Sequence, residues 1–147
     1  MTLQAWCFSW QGRLGRRDLW VWLTLWLVLI VVLFTLADRG WISRQTAAYG
    51  VVFLLWPTSA VVVKRLHDRN KTGYWALLLL VAWILLVKDW DMLPATWQWA
   101  LGQFIPMLIL VTLTVELGTF TGTPGGNRFG KAARPVNYFG RRTPDYQ

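Results

Sequence analysis

Residues 19–37 read LWVWLTLWLVLIVVLFTLA, nineteen positions without a charge, thirteen of them Leu, Ile, Val or Phe. As a helix this run is about 28 Å long, close to the ~30 Å hydrocarbon core of a bilayer. Each such side chain near mid-membrane favours insertion by roughly 0.3–0.6 kcal/mol, which sums to several kcal/mol. The run is also longer than the ~7–15 residue apolar region of a secretory signal. It predicts a membrane-spanning helix and sets the class of the whole chain.

Three more apolar runs follow. Residues 47–63 are uncharged and contain Pro57, which membrane helices tolerate when neighbours satisfy the freed carbonyl; Thr58 and Ser59 are the adjacent hydroxyls, and a bend is expected there. Residues 72–90 are long enough only if Lys88 reaches out to the interface. Residues 97–115 hold Gly102 and Pro106 and end at Glu116. The expectation is an all-α membrane protein: a bundle of four transmembrane helices over residues 19–117, an amphipathic segment over 1–18, and an irregular, basic, Gly/Pro-rich tail over 118–147. Leu3, Trp6, Trp10 and Leu14 would form an apolar stripe on the membrane surface.

The composition agrees. The 147 residues are 55% hydrophobic and 15% charged, against ~25% charged in a typical soluble domain. Of the twelve tryptophans, Trp20, Trp22, Trp41, Trp75, Trp90, Trp97 and Trp99 lie near the span ends, where an indole keeps its ring apolar and its N–H wet. A disordered tail is excluded and an ordinary soluble enzyme disfavoured. The single cysteine, Cys7, allows no internal disulfide, and one histidine without Cys-x-x-Cys spacing gives no metal signature. No cofactor and no nucleic-acid partner is expected.

Charge sets the orientation. Arg13, Arg16 and Arg17 precede the first span; Lys64, Arg65, Arg69 and Lys71 lie between the second and third; Arg128, Lys131, Arg134, Arg141 and Arg142 follow the fourth. These twelve cations face three, Arg39, Arg44 and Lys88, on the other side. The positive-inside rule then puts both termini in the cytoplasm, with anionic headgroups as natural partners.

Three cytoplasmic stretches carry the remaining signal. In FSWQGRLGRRDLW (8–20), Gly15 can cap the first helix with Asp18 at its third position. In VKRLHDRNKTGYW (63–75), Arg65 and Asp68 stand three apart on a helix and can pair. His67 next to Asp68 invites a general-base reading, but adjacent helical side chains point about 100° apart, which favours a structural role. GTPGGNRFG (122–130) lacks the Gly-Lys-Ser/Thr of a phosphate loop and reads as a turn.

Together these stretches resemble the small bacterial inner-membrane proteins catalogued as domain of unknown function 805, the YhaH-like group. The family's Gly-Arg-x-x-Arg matches Gly12, Arg13 and Arg16, followed by Trp20. Its Arg-Arg-x-His-Asp matches Lys64, Arg65, His67 and Asp68, and its Ser-Gly-Trp-Trp matches Thr72, Gly73, Tyr74 and Trp75. Its Asn-x-Tyr-Gly matches Asn127, Phe129 and Gly130, with Lys131 where a proline is usual. The resemblance runs from about Phe8 to Pro135 and implies an inner-membrane location, without a biochemical activity.

All three motifs fall on the predicted cytoplasmic side, so Arg13, Arg16, Arg65, His67, Asp68 and Asn127 are expected to form one polar cluster, with Asp68 on Arg65 or Arg16. The expected role is non-enzymatic: interaction or membrane organisation through a basic face, with anionic lipid, a membrane-protein partner or a second copy as partner. The alternative is a small transporter or a subunit of an oligomeric channel, which the lack of mid-span ionisable groups disfavours. The weakest reading is an enzyme on lipid headgroups with His67 as base.

Overall fold

The structure, a computed structural model, describes residues 1–139; the end of the tail, including Arg141 and Arg142, lies outside the described residues. The regular structure among the described residues is helical, apart from an isolated bridge between Asn127 and Gly130. Helices α1 (Leu3–Phe8), α2 (Arg16–Asp38) and α3 (Arg44–Asp68) come first. A 3-10 turn, Gly73–Ala76, leads into α4 (Leu77–Val87). Helix α5 (Ala95–Trp99), a π turn (Ala100–Phe104) and α6 (Ile105–Thr119) then run on as one rod.

Three helical stretches are long and apolar enough to cross a membrane: Arg16–Asp38, Arg44–Asp68 and Ala95–Thr119. The fourth, Gly73–Val87, is shorter than the expected 72–90. Its helix stops because Lys88 turns extended, the Asp91 N–H bonds the Asp89 carboxylate, and Pro94 follows. The Trp90 indole folds back and donates to the carbonyl of Leu85, satisfying a helix-end acceptor from outside the helix.

Local chemistry explains the other boundaries. Helix α2 ends with the N–H of Gly40 on the carbonyl of Ala37 and that of Trp41 on Leu36, with Gly40 at φ +74°. The end of α3 repeats this pairing with Asn70 in the left-handed position, its N–H on His67 and that of Lys71 on Leu66. The π turn has a sequence cause. Pro106 has no N–H for the carbonyl four residues back, at Gly102, and the turn widens so that the N–H of Ile105 meets Ala100. Helix α3 stays helical through Pro57, the hydroxyls of Thr58 and Ser59 donating to the carbonyls of Leu54 and Trp56.

The long helices pair as α2 with α3 and α4 with α6, and the pairs meet where α6 reaches α2 and α3. The arrangement is two antiparallel pairs joined at one end, rather than a uniformly packed four-helix bundle. The core lies at that end and contains Trp6, Leu14, Leu19, Trp22, Val61, Leu66, Leu117 and Val136. Trp6 and Leu14 of the expected surface stripe are thus inside the protein, while Leu3 and Trp10 remain exposed. Along α2, Leu25, Leu27, Val28, Val31 and Val32 are exposed, a surface suited to lipid rather than water.

Candidate functional site

Where the helix pairs join, the three motif stretches close around Asp68. Its carboxylate accepts from Arg13 Nε at 3.0 Å and Nη2 at 2.9 Å through one oxygen, and from Arg65 Nη1 through the other. All three side chains are buried. Charges so placed are tolerated only when every polar atom finds a partner. Here they do. Arg65 also donates to the carbonyls of Leu117 at 2.6 Å, Leu14 at 3.3 Å and Phe120 at 2.6 Å. Arg13 reaches the carbonyls of Thr123, Gly125 and Gly130.

The backbone around these groups is built for close approach. The N–H of Thr123 donates to the carbonyl of Asp68 at 2.7 Å, drawing the glycine-rich loop against the end of α3. A Cβ at Gly122 would overlap the Asp68 carboxylate, so no other residue fits there. Asn127 donates its amide to the carbonyl of His67 at 2.9 Å, pinning the far side of the loop. The His67 ring stacks on Phe129 with centroids 4.1 Å apart, and its Nδ1 lies 3.2 Å from the carbonyl of Gly12.

The structure therefore brings Arg13, Arg65, His67, Asp68 and Asn127 into one cluster. Arg16 is its neighbour: at the first turn of α2 it donates to the carbonyl of Thr119 at the end of α6, while Asp68 takes Arg13 instead. His67 and Asp68 bond different partners, so no His–Asp pair forms. Among the described residues, no group of three His, Cys, Asp or Glu side chains is placed to hold a metal ion.

Two polar anchors escaped the sequence reading. Lys64 is fully buried, and its ammonium donates to the carbonyls of Ala5 at 2.5 Å and Trp6 at 2.6 Å, holding α1 against α3. Asp18 does not cap α2; it is buried and accepts from the N–H of Val136 and the hydroxyl of Tyr138 at 2.6 Å, fastening the tail. Burial and this bond push the Tyr138 phenol well above its ordinary range. Burial also raises the Cys7 thiol, against the opposing pull of the Lys64 charge. The sequence signals were present but ambiguous: Lys64 resembled one more topology charge, and Asp18 a helix cap.

Beyond this closed cluster, the same end carries exposed cations: Arg16, Arg17, Arg128, Lys131 and Arg134. Among the described residues its acids are engaged, Asp18 and Asp68 as above and Glu116 with Arg69 at 2.9 Å and Lys71 at 2.7 Å. The other end holds Arg39, Arg44 and Lys88 against Asp38, Asp89 and Asp91, and is neutral.

Residues 7–131 match the family model described as "Protein of unknown function (DUF805)". The chain is 54% identical to the uncharacterized protein YiiR of Escherichia coli K12 over 138 residues, 94% of each chain. It is 31% identical to the inner membrane protein YhaH of the same organism over 132 residues, 82% of this chain and 83% of that one. No solved structure matches. With the family model covering most of its length and an inner-membrane relative alongside, the chain belongs to the DUF805 family, whose function is unknown.

Proposed function

We propose that this is a non-enzymatic inner-membrane protein that presents a basic cytoplasmic face to anionic lipid and to protein partners at the membrane surface. The observation that carries the reading is the division of labour among the cations. Arg13, Lys64 and Arg65 are buried and committed to backbone carbonyls and Asp68, whereas Arg16, Arg17, Arg128, Lys131 and Arg134 stay exposed. The buried cations are thus committed to holding the fold together, whereas an exposed basic face attracts an anionic leaflet by about 1 kcal/mol per cation.

Four crossings with both termini inside go with this reading. Glu116 near the end of α6 meets Lys71 just before α4, so the chain leaves that end and returns to it between these residues. The return leg, Ala95–Thr119, is about 37 Å long as a helix, and the outward leg in this reading is the shorter helix Gly73–Val87 followed by residues 88–94. The charged end would face the cytoplasm and the neutral end the periplasm.

Affinity purification of the full chain in mild detergent, with mass spectrometry of bound lipid and protein, tests the reading. Enrichment of anionic phospholipid that falls with salt, and that falls again when Arg16, Arg17, Arg128, Lys131 and Arg134 are changed to Gln, is expected. Lipid matching the bulk membrane in both forms would refute it. A cytoplasm-only reporter should work after residue 147 and fail between Arg39 and Arg44; the reverse would overturn the orientation.

A further inference from the structure

Helices α4 and α6 leave a groove of about 320 Å³ between them. Its floor and walls are Leu66, Leu78, Leu108, Ile109 and Leu113, and its volume falls in the range of small-ligand sites. It runs from Glu116 to Leu108, about 12 Å along the helix. At its mouth stand Lys71, Trp75 and Glu116. The Glu116 carboxylate accepts from both Arg69 and Lys71, so two cations meet one anion and the rim keeps one positive charge. The Lys71 side chain is 39% exposed, and Trp75 is exposed beside it, with the ammonium 5.9 Å from its ring.

We propose that this groove is a specific site for one anionic phospholipid, with an acyl chain between α4 and α6 and the phosphate diester on Lys71. Three features select that occupant. The walls are apolar and open sideways to the bilayer, which suits a hydrocarbon chain. The residual charge at the rim complements one phosphate. Glu116 is already neutralised by two cations, so a zwitterionic lipid gains little by bringing an ammonium, and a phosphatidylglycerol headgroup is preferred over phosphatidylethanolamine. Basic pockets between transmembrane helices on the cytoplasmic side bind anionic headgroups on the same principle. The proposal rests on the membrane reading above but concerns one groove, not the whole face.

The test is native mass spectrometry of the full chain in detergent, titrated with phosphatidylglycerol and, separately, phosphatidylethanolamine. Wild type should retain phosphatidylglycerol preferentially. Lys71→Gln should weaken that retention about fivefold, the effect of one interfacial charge, and erase the preference. Thr112→Trp, an exposed position lining the groove, should block both lipids. Equal retention of the two lipids by wild type, or an unchanged preference in Lys71→Gln, would overturn the site; should Lys71→Gln fail to fold, undiminished retention by Thr112→Trp would do so. The variant with five exposed cations replaced keeps the groove intact. A loss there with none in Lys71→Gln refutes the groove and leaves the basic face standing, and the opposite pattern refutes the face alone.

Discussion

Asp68→Ala is the most demanding perturbation of the cluster. It removes one carboxylate that accepts from two arginines, both buried, with side-chain exposures of 1% and 0% beside 6% for Asp68 itself. Deleting one partner of a buried ion pair costs about 3–5 kcal/mol, because the remaining charge stays out of water without compensation. The carbonyls around Arg13 and Arg65 soften the loss, which favours the lower half of that range. At roughly 2–4 °C per kcal/mol for a chain of this size, the detergent melting temperature should fall by about 6–16 °C. Asp38→Ala is the matched control: its contact with Arg44 is 3.5 Å long, with both side chains largely exposed, and such pairs contribute about 0–1 kcal/mol. The double variant with Arg13→Ala should lose less than the sum of the two single losses, since each removes the other's partner. Equal melting of the Asp68→Ala and Asp38→Ala proteins, or strict additivity in the cycle, would refute a coupled buried network.

Gly122→Ala should destabilise by more than about 2 kcal/mol, since a Cβ there meets the Asp68 carboxylate; a melting temperature within 2 °C of wild type, on the order of 1 kcal/mol, would count against that contact. Lys64→Met should release α1 from two carbonyls and speed amide hydrogen exchange in residues 3–8; unchanged exchange would argue against the anchor. Tyr138 is an acid with its pKa raised by folding. Its contribution is whole below the ordinary phenol value of about 10 and declines as pH rises past it, so Tyr138→Phe should flatten the alkaline end of the stability profile. A Tyr138 titrating with the other tyrosines would contradict the bond to Asp18.

Long apolar runs made α2, α3 and α6 legible, because insertion depends on summed side-chain transfer and tolerates local detail. The shorter α4 was harder: its end is set by Trp90 reaching back to Leu85, a contact that hydrophobicity does not encode. The π turn before Pro106 was implicit in the missing N–H, though its form depended on backbone adjustment. Within the cluster, the i,i+3 pair of Arg65 and Asp68 followed from helix geometry, and the arrival of Asn127 from topology. The choice of Arg13 over Arg16 did not. Arg13 lies ahead of the helix, after Gly12 at φ +95°, and turns inward; Arg16 already sits on the first turn of α2 and faces the end of α6. Two arginines three residues apart look alike in a sequence and differ only once the chain direction between them is known.

The closure of Arg13 by residues as distant as Gly125, 112 positions along the chain, also imposes an order on biogenesis. A ribosome delivers Arg13, Arg65 and Asp68 to the membrane before the loop from Thr123 to Gly130 exists. Until then Arg13 and Arg65 share one carboxylate, and the carbonyls that complete the shell of Arg13 have not been made. The helices can insert first; the clustered end matures only when the last segment folds against it. A chain stalled or truncated before Gly122 would therefore hold its spans in the bilayer with an open, water-accessible mouth, a form on which membrane quality-control proteases would be expected to act.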